Sequence, residues 1–199
     1  MRRAQSTPFN MVGAVLLTCV VAATSLALTY EVTRDRIAAQ ERAAEERALR
    51  AVVPDAEGFE VADDVLEQSV DAAQEIAVTA VYRALGPEGN VVAWGVRVAP
   101  RGYAGPIQLV VGLDRDGEVL GVSIISMTET PGLGTKIATV DGWLDQFIGW
   151  SGADINASAR EFDAIAGATK SSVAVREGVV AAGRVWSAAL SGREEVDAP

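Results

Sequence analysis

Thr169 lies in the stretch Ala166-Gly167-Ala168-Thr169-Lys170-Ser171-Ser172, a hydroxyl set between small residues and a cation. Gly167 and Ala168 let another group approach the backbone, Lys170 supplies positive charge, and Ser171 or Ser172 can cap a helix expected from Ser172 to Leu190. A phosphate there would meet free N–H groups and the positive end of that helix. The same residue types also describe a tight turn, a serine cap and an ordinary core helix, so both readings stay open on residue types alone. Two nucleotide loops are excluded. A Walker A loop needs Gly directly before its Lys-Ser, where Thr169 stands, and a dinucleotide fingerprint through Gly132 and Gly134 needs a third Gly at the position of Ile137. Gly102-Tyr103-Ala104-Gly105-Pro106-Ile107 and Glu129-Thr130-Pro131-Gly132-Leu133-Gly134 are two further glycine-containing stretches, each readable as a tight loop or as a binding loop.

Composition narrows the chemistry. The 199 residues include no histidine, which removes the usual general base, the commonest metal ligand and every Ser-His-Asp or Cys-His arrangement. Cys19 is the one cysteine and sits in an apolar run, so this chain alone builds no disulfide, thiolate metal site or iron–sulfur site. Redox chemistry would need a borrowed cofactor, and no catalytic acid–base pair or metal ligand set can be named. The net charge is −10, and because Arg2 and Arg3 are the only charges before residue 31, the remaining 15 basic and 27 acidic residues leave −12 on residues 31–199. Such an acidic body argues against nucleic-acid binding.

The elements that must position these residues follow from pattern. Residues 1–10 form a short tail. Residues 11–30 carry no charge, and about 20 residues at about 1.5 Å each match a hydrocarbon core of about 30 Å. They read as a single transmembrane helix, a cleaved signal peptide being the rival. Arg2 and Arg3 put the tail in the cytoplasm and the acidic body outside. Residues 31–53, rich in Ala, Glu and Arg, read as a helical neck, a spacer or a helix packing on a partner. Residues 54–199 read as one α+β domain. After a weakly patterned acidic stretch from Asp55 to Gln74, two antiparallel hairpins are expected: 76–85 with 91–98, and 107–113 with 119–125. Helices are expected over 137–148 and 172–190, where Val175, Val179, Ala182, Trp186 and Leu190 recur on one face. Asn156-Ala157-Ser158 is read as a chance match to a glycosylation sequon.

Taken in order after an N-terminal anchor, the three glycine-containing stretches, with Lys136-Ile137, Trp143-Leu144, Phe147 and Asp163 to Thr169, resemble the G subunit of the Rnf electron-transport complex. The related C subunit of the sodium-pumping NADH:quinone reductase shares the Glu-Thr-Pro-Gly-Leu-Gly and Gly-Ala-Thr elements and is the nearest alternative. The resemblance implies an extracytoplasmic FMN-binding domain with an antiparallel sheet and flanking helices, in a single-pass protein of the bacterial inner membrane. It implies FMN joined covalently through its phosphate to Thr169 by a separate flavin transferase. Asp163, Gly167, Ala168 and Thr169 match the family's attachment motif and, with Lys170, Ser171 and Ser172, would form the cofactor-binding stretch, while Glu129, Thr130, Leu133 and Tyr103 would contact the ring. The implied role is an electron-transfer subunit in a ferredoxin:NAD oxidoreductase coupled to ion translocation, with the other membrane and iron–sulfur subunits and the lipid bilayer as partners. Ala166, Met127 and Thr135 depart from the residues common in this family at their positions. A flavin-free anchored assembly subunit and a flavin-based extracytoplasmic redox sensor are the readings from other classes.

Overall fold

The computed structural model describes residues 8–69, 76–151 and 161–191; the expected sequon and most of the N-terminal tail, with Arg2 and Arg3, lie outside the described residues. The chain divides into two compact units, residues 1–43 and 44–199. Its elements in order are α1 (Pro8–Val52), β1 (Gly58–Val61), α2 (Asp63–Ser69), β2 (Ala77–Leu85), β3 (Val91–Ala99), β4 (Ile107–Leu113), β5 (Val119–Met127), α3 (Lys136–Thr139), a 3-10 turn (Trp143–Phe147), α4 (Thr169–Val185) and a π turn (Trp186–Leu190).

The first unit contributes residues 8–43 of α1. Its apolar stretch reaches a mean hydropathy of 2.3 with none of it buried, and it is long and apolar enough to cross a membrane. Three hydroxyls in this region are satisfied within the helix: Thr18, Thr24 and Thr29 donate to the carbonyls of Ala14, Val20 and Ser25 at 2.8, 2.8 and 2.9 Å. The expected junction between a span ending at Tyr30 and a neck starting at Glu31 is not a break. No Gly or Pro falls between Gly13 and Pro54, so α1 continues to Val52 and stops where Pro54 disfavours a helical Val53.

In the second unit, β1 to β5 form an antiparallel meander in sequence order. Both expected hairpins are present. Gly86 donates to the Asn90 carbonyl at 2.9 Å to close the first, and the Asp114 carboxylate accepts the Glu118 N–H at 2.7 Å in the second. The stretch from residue 55 to 74, unassigned from its pattern, supplies β1 at the sheet edge and α2, whose Val65 is buried and whose Asp64 pairs with Arg83 at 2.8 Å. The helix expected over 137–148 is two short pieces, α3 and the 3-10 turn, because Gly142 between them takes a left-handed φ of 71°. α4 begins at Thr169, three residues before the expected start.

Both sheet faces are covered, as the period of two requires. Val81, Val96, Val98, Leu109 and Val111 belong to the larger core, with Val175, Val179 and Ala182 of α4. Their neighbours Ala80, Tyr82, Ala93 and Val110 belong to a second core with Ala48, Leu49 and Val52 from the end of α1. The residues expected as a solvated neck therefore end inside the folded unit. Their seat is a row of glycines in register across three strands, Gly95, Gly112 and Gly121. A Cβ on Gly112 would lie 2.8 Å from the Val52 carbonyl oxygen, and one on Gly95 would lie 2.7 Å from Leu49 Cδ2. Beside this seat Glu45 accepts hydrogen bonds from the Tyr82 hydroxyl and, at 2.7 Å, from Arg97, which also donates to Gln108 Oε1 at 2.6 Å. Burial, and then the Glu45 carboxylate, push the Tyr82 phenol well above its ordinary range.

Gly112→Ala is expected to destabilise the folded unit by about 1–3 kcal/mol, the usual effect of forcing atoms into a packed contact. Chemical denaturation of the variant beside wild type measures it, and a wild-type midpoint would show that α1 does not use this seat.

Candidate functional site

Strand register brings the site together. Ile107, the first residue of β4, pairs with Met127, the last of β5, so the loop before β4 and the loop after β5 leave the sheet at one end. The first turn of α4 joins them there. One cleft of about 160 Å³ is lined by Tyr103, by Glu129, Thr130, Leu133 and Gly134, and by Gly167, Ala168, Thr169, Lys170 and Ser171.

The Thr169 end of the cleft suits an anion. Gly167, at a φ of 80°, turns the chain, and the Ala168 N–H donates to Ile165 O at 2.9 Å. The first helical bond runs from the Ser172 N–H to Ala168 O at 2.9 Å, which leaves the N–H groups of Thr169, Lys170 and Ser171 ahead of the ladder. No side chain caps this helix end. Thr169 and Lys170 are exposed, and Lys170 Nζ lies 5.8 Å from the centre of the Tyr103 ring. The far end is apolar and open: Tyr103 is 71% and Leu133 51% exposed.

Between the two ends lies a buried carboxylate. Glu129 is only 5% exposed; Ser171 Oγ donates to its Oε2 at 2.6 Å and the Ala104 N–H donates to its Oε1 at 3.1 Å. Burial by itself raises the Glu129 carboxyl, but the bonds from Ser171 and from the backbone of residues 103–105 outweigh it and hold the group below its ordinary value. Gly102 and Gly134 make the space: a Cβ on Gly102 would collide with Oε1, and one on Gly134 would meet Oε2 and lie 2.9 Å from Ser171 Oγ.

Nine of the residues singled out from sequence line this cleft: Tyr103, Glu129, Thr130, Leu133, Gly167, Ala168, Thr169, Lys170 and Ser171. Asp163 and Ser172 stand behind it. The Asp163 carboxylate is exposed while its backbone is clamped, with Trp143 Nε1 donating to its carbonyl at 2.6 Å and its N–H donating to Gln146 Oε1 at 2.7 Å. Ser172 is fully buried, and its Oγ accepts the Ile165 N–H at 3.1 Å. Both therefore hold the segment that leads into Gly167. Gln146 and Gly134 were not singled out from sequence; Gly134 belongs to a quoted stretch, whereas nothing in the spacing marks Gln146. Of the three departures, Ala166 is exposed, Met127 is partly buried against the larger core, and Thr135 Oγ1 accepts the Gly132 N–H at 2.9 Å, which closes the 129–134 turn.

Comparison with known proteins places these features in a family. Residues 102–183 match the FMN-binding domain and residues 13–52 match the RnfG N-terminal region. The chain is 36% identical over 171 residues to the G subunit of the Na(+)-translocating ferredoxin:NAD(+) oxidoreductase complex of Acetobacterium woodii, covering 80% of this chain and 82% of that one. It is 34% identical to the G subunit of the ion-translocating oxidoreductase complex of Aliivibrio fischeri, covering 86% of each. The corresponding protein of Stutzerimonas stutzeri is 34% identical, covering 83% of this chain and 75% of its own length. With two matched regions at the positions of the apolar helix and the cleft, and relatives aligned along most of both chains, this protein belongs to the family of Rnf-type ion-translocating oxidoreductase G subunits.

Proposed function

We propose that the chain is the FMN-carrying electron-transfer subunit of a membrane-bound Rnf-type complex, with the flavin bound covalently through Thr169. The observation that carries this reading is the placement of an exposed threonine hydroxyl on the first turn of α4, inside the matched FMN-binding domain and beside an open apolar rim. Free N–H groups, the helix dipole and Lys170 stabilise the single negative charge that a phosphate esterified to Thr169 shares over its two non-bridging oxygens. Tyr103 and Leu133 offer a face and an edge for a ring. The cleft's 160 Å³ is well below the roughly 300–1,000 Å³ of pockets that enclose a ligand, so it seats part of a flavin and leaves the rest at the surface. That suits passage of electrons between protein partners. Bound FMN supplies one-electron and two-electron redox chemistry, and the protein supplies position, charge and partial exclusion of water.

Attachment is the work of a separate flavin transferase using FAD. In that step the Thr169 oxygen forms a bond to the flavin-side phosphorus, the phosphoanhydride bond breaks, AMP leaves, and the hydroxyl proton passes to the transferase or solvent. The remaining partners are the other membrane and iron–sulfur subunits of the complex, by analogy with the relative from Acetobacterium woodii, whose name carries ferredoxin and NAD(+). The apolar part of α1 anchors the chain in the inner membrane with its N-terminus in the cytoplasm and the FMN-binding domain outside. The subunit is one part of a larger redox enzyme.

Full-length protein produced with a flavin transferase is expected to gain the mass of one FMN less a water and to fluoresce in gels, whereas Thr169→Val stays folded and gains neither. Equal labelling of Thr169→Val, or an unlabelled wild type, would overturn the assignment. Lys170→Glu, which reverses the charge beside the phosphate, is expected to slow labelling about tenfold, the scale of a lost charge-assisted hydrogen bond. Time courses of in-gel fluorescence measure it. Ala166→Ser adds a hydroxyl at an exposed position and is expected to leave the unfolding midpoint unchanged while raising the initial labelling rate.

A further inference from the structure

Resting on the flavin reading above, we infer that Glu129 is a positioning residue: one buried carboxylate ties the turn that carries Thr169 to the loop that carries Tyr103, and so sets the spacing between the phosphate end and the ring end of the cleft. Its two oxygens are already occupied, one by Ser171 Oγ at 2.6 Å and the other by the Ala104 N–H at 3.1 Å. Ser171 stands two residues after Thr169 on the first turn of α4, and Ala104 directly follows Tyr103. These contacts join segments 42 and 25 residues away from Glu129 in the chain. The protein thus engages both carboxylate oxygens, and the contribution of Glu129 to a bound flavin passes through the two loops it holds.

Three observations support this division of labour. Glu129 and Ser171 are both almost wholly buried, so the bond between them is shielded from competing water. Gly102 and Gly134 lack the Cβ that would displace the two carboxylate oxygens, so both glycine-containing loops are shaped around the same group. The hydrogen bonds hold the carboxyl in its ionised form despite burial, and an anion at the start of a helix is favourably placed. A seat already fixed when the ligand arrives loses less freedom on binding.

The test uses full-length protein in detergent micelles without flavin, followed by labelling with the transferase and FAD. Amide hydrogen exchange is read at residues 102–106 and 169–173, and labelling rate by flavin fluorescence. Ser171→Ala and Glu129→Ala are expected to accelerate exchange in both segments and slow labelling about tenfold. Glu129→Gln, whose amide can accept from Ala104 and donate to Ser171, is expected to recover most of both losses. Should Glu129→Ala fail to fold, Ser171→Ala and Glu129→Gln still decide the matter. Unchanged exchange at 102–106 in Ser171→Ala would overturn the inference. So would a Glu129→Gln protein whose loops stay protected while its labelling falls as far as in Ser171→Ala, since the charge would then act on the flavin directly. Coupled exchange in a wild type that takes no flavin would leave the positioning role standing and sink the flavin reading.

Discussion

A carboxylate removed from water must be compensated inside the protein or it loses its charge. At Glu129 the compensation comes from two parts of the chain distant from it and from each other, the backbone of residues 103–105 and the hydroxyl of Ser171. Once that charge is buried, three segments have no freedom to drift apart, because any separation would strand it. The cleft is what remains between them. Its polar end is the unladdered first turn of α4 and its apolar end is the Tyr103 and Leu133 rim, and both inherit their placement from the group in the middle.

That arrangement needs a stiff platform. β4 is buried along nearly its whole length, and Ile107 and Met127 set the two loops at one end of the sheet. α4 packs on one face, close enough that a Cβ on Gly178 would lie 3.2 Å from Leu109 Cδ2, while the last turns of α1 press onto the glycine row of the other. Fully burying an aliphatic side chain such as Val52 or Val179 stabilises by about 1.5–3 kcal/mol, and both faces gain this way.

The hairpins were legible because each carried its own evidence: runs of Val, Ile and Leu on either side of Gly-Pro or Asp-Gly turns. β1 and α2 were not, since four and seven residues are too few to establish a period. The end of α1 reads from sequence as a spacer because its glycine seat and its partners Tyr82 and Arg97 lie 37 or more residues away in the chain, and such a seat leaves no mark on the helix that fills it. At the site, small residues around a threonine and a lysine left an anion site and an ordinary capped turn both open, and the family resemblance chose between them. Glu129 was picked out as a ring contact through resemblance, but its occupied oxygens depend on long-range contacts that no local spacing reveals. Asp163 and Ser172 were legible as residues of interest, while their placement behind the cleft, through backbone clamps, was not.

The central claim is that the first turn of α4 holds the flavin phosphate as an ester of Thr169. A phosphate bound only by contacts is a monoester whose dianion takes up a proton near pH 6, whereas one also esterified to threonine has no such ionisation. Phosphorus NMR of the flavin-loaded protein between about pH 5 and pH 8 separates the two, the window being set by that ionisation. The account predicts one resonance whose position does not move with pH; a resonance that titrates near pH 6 would contradict it.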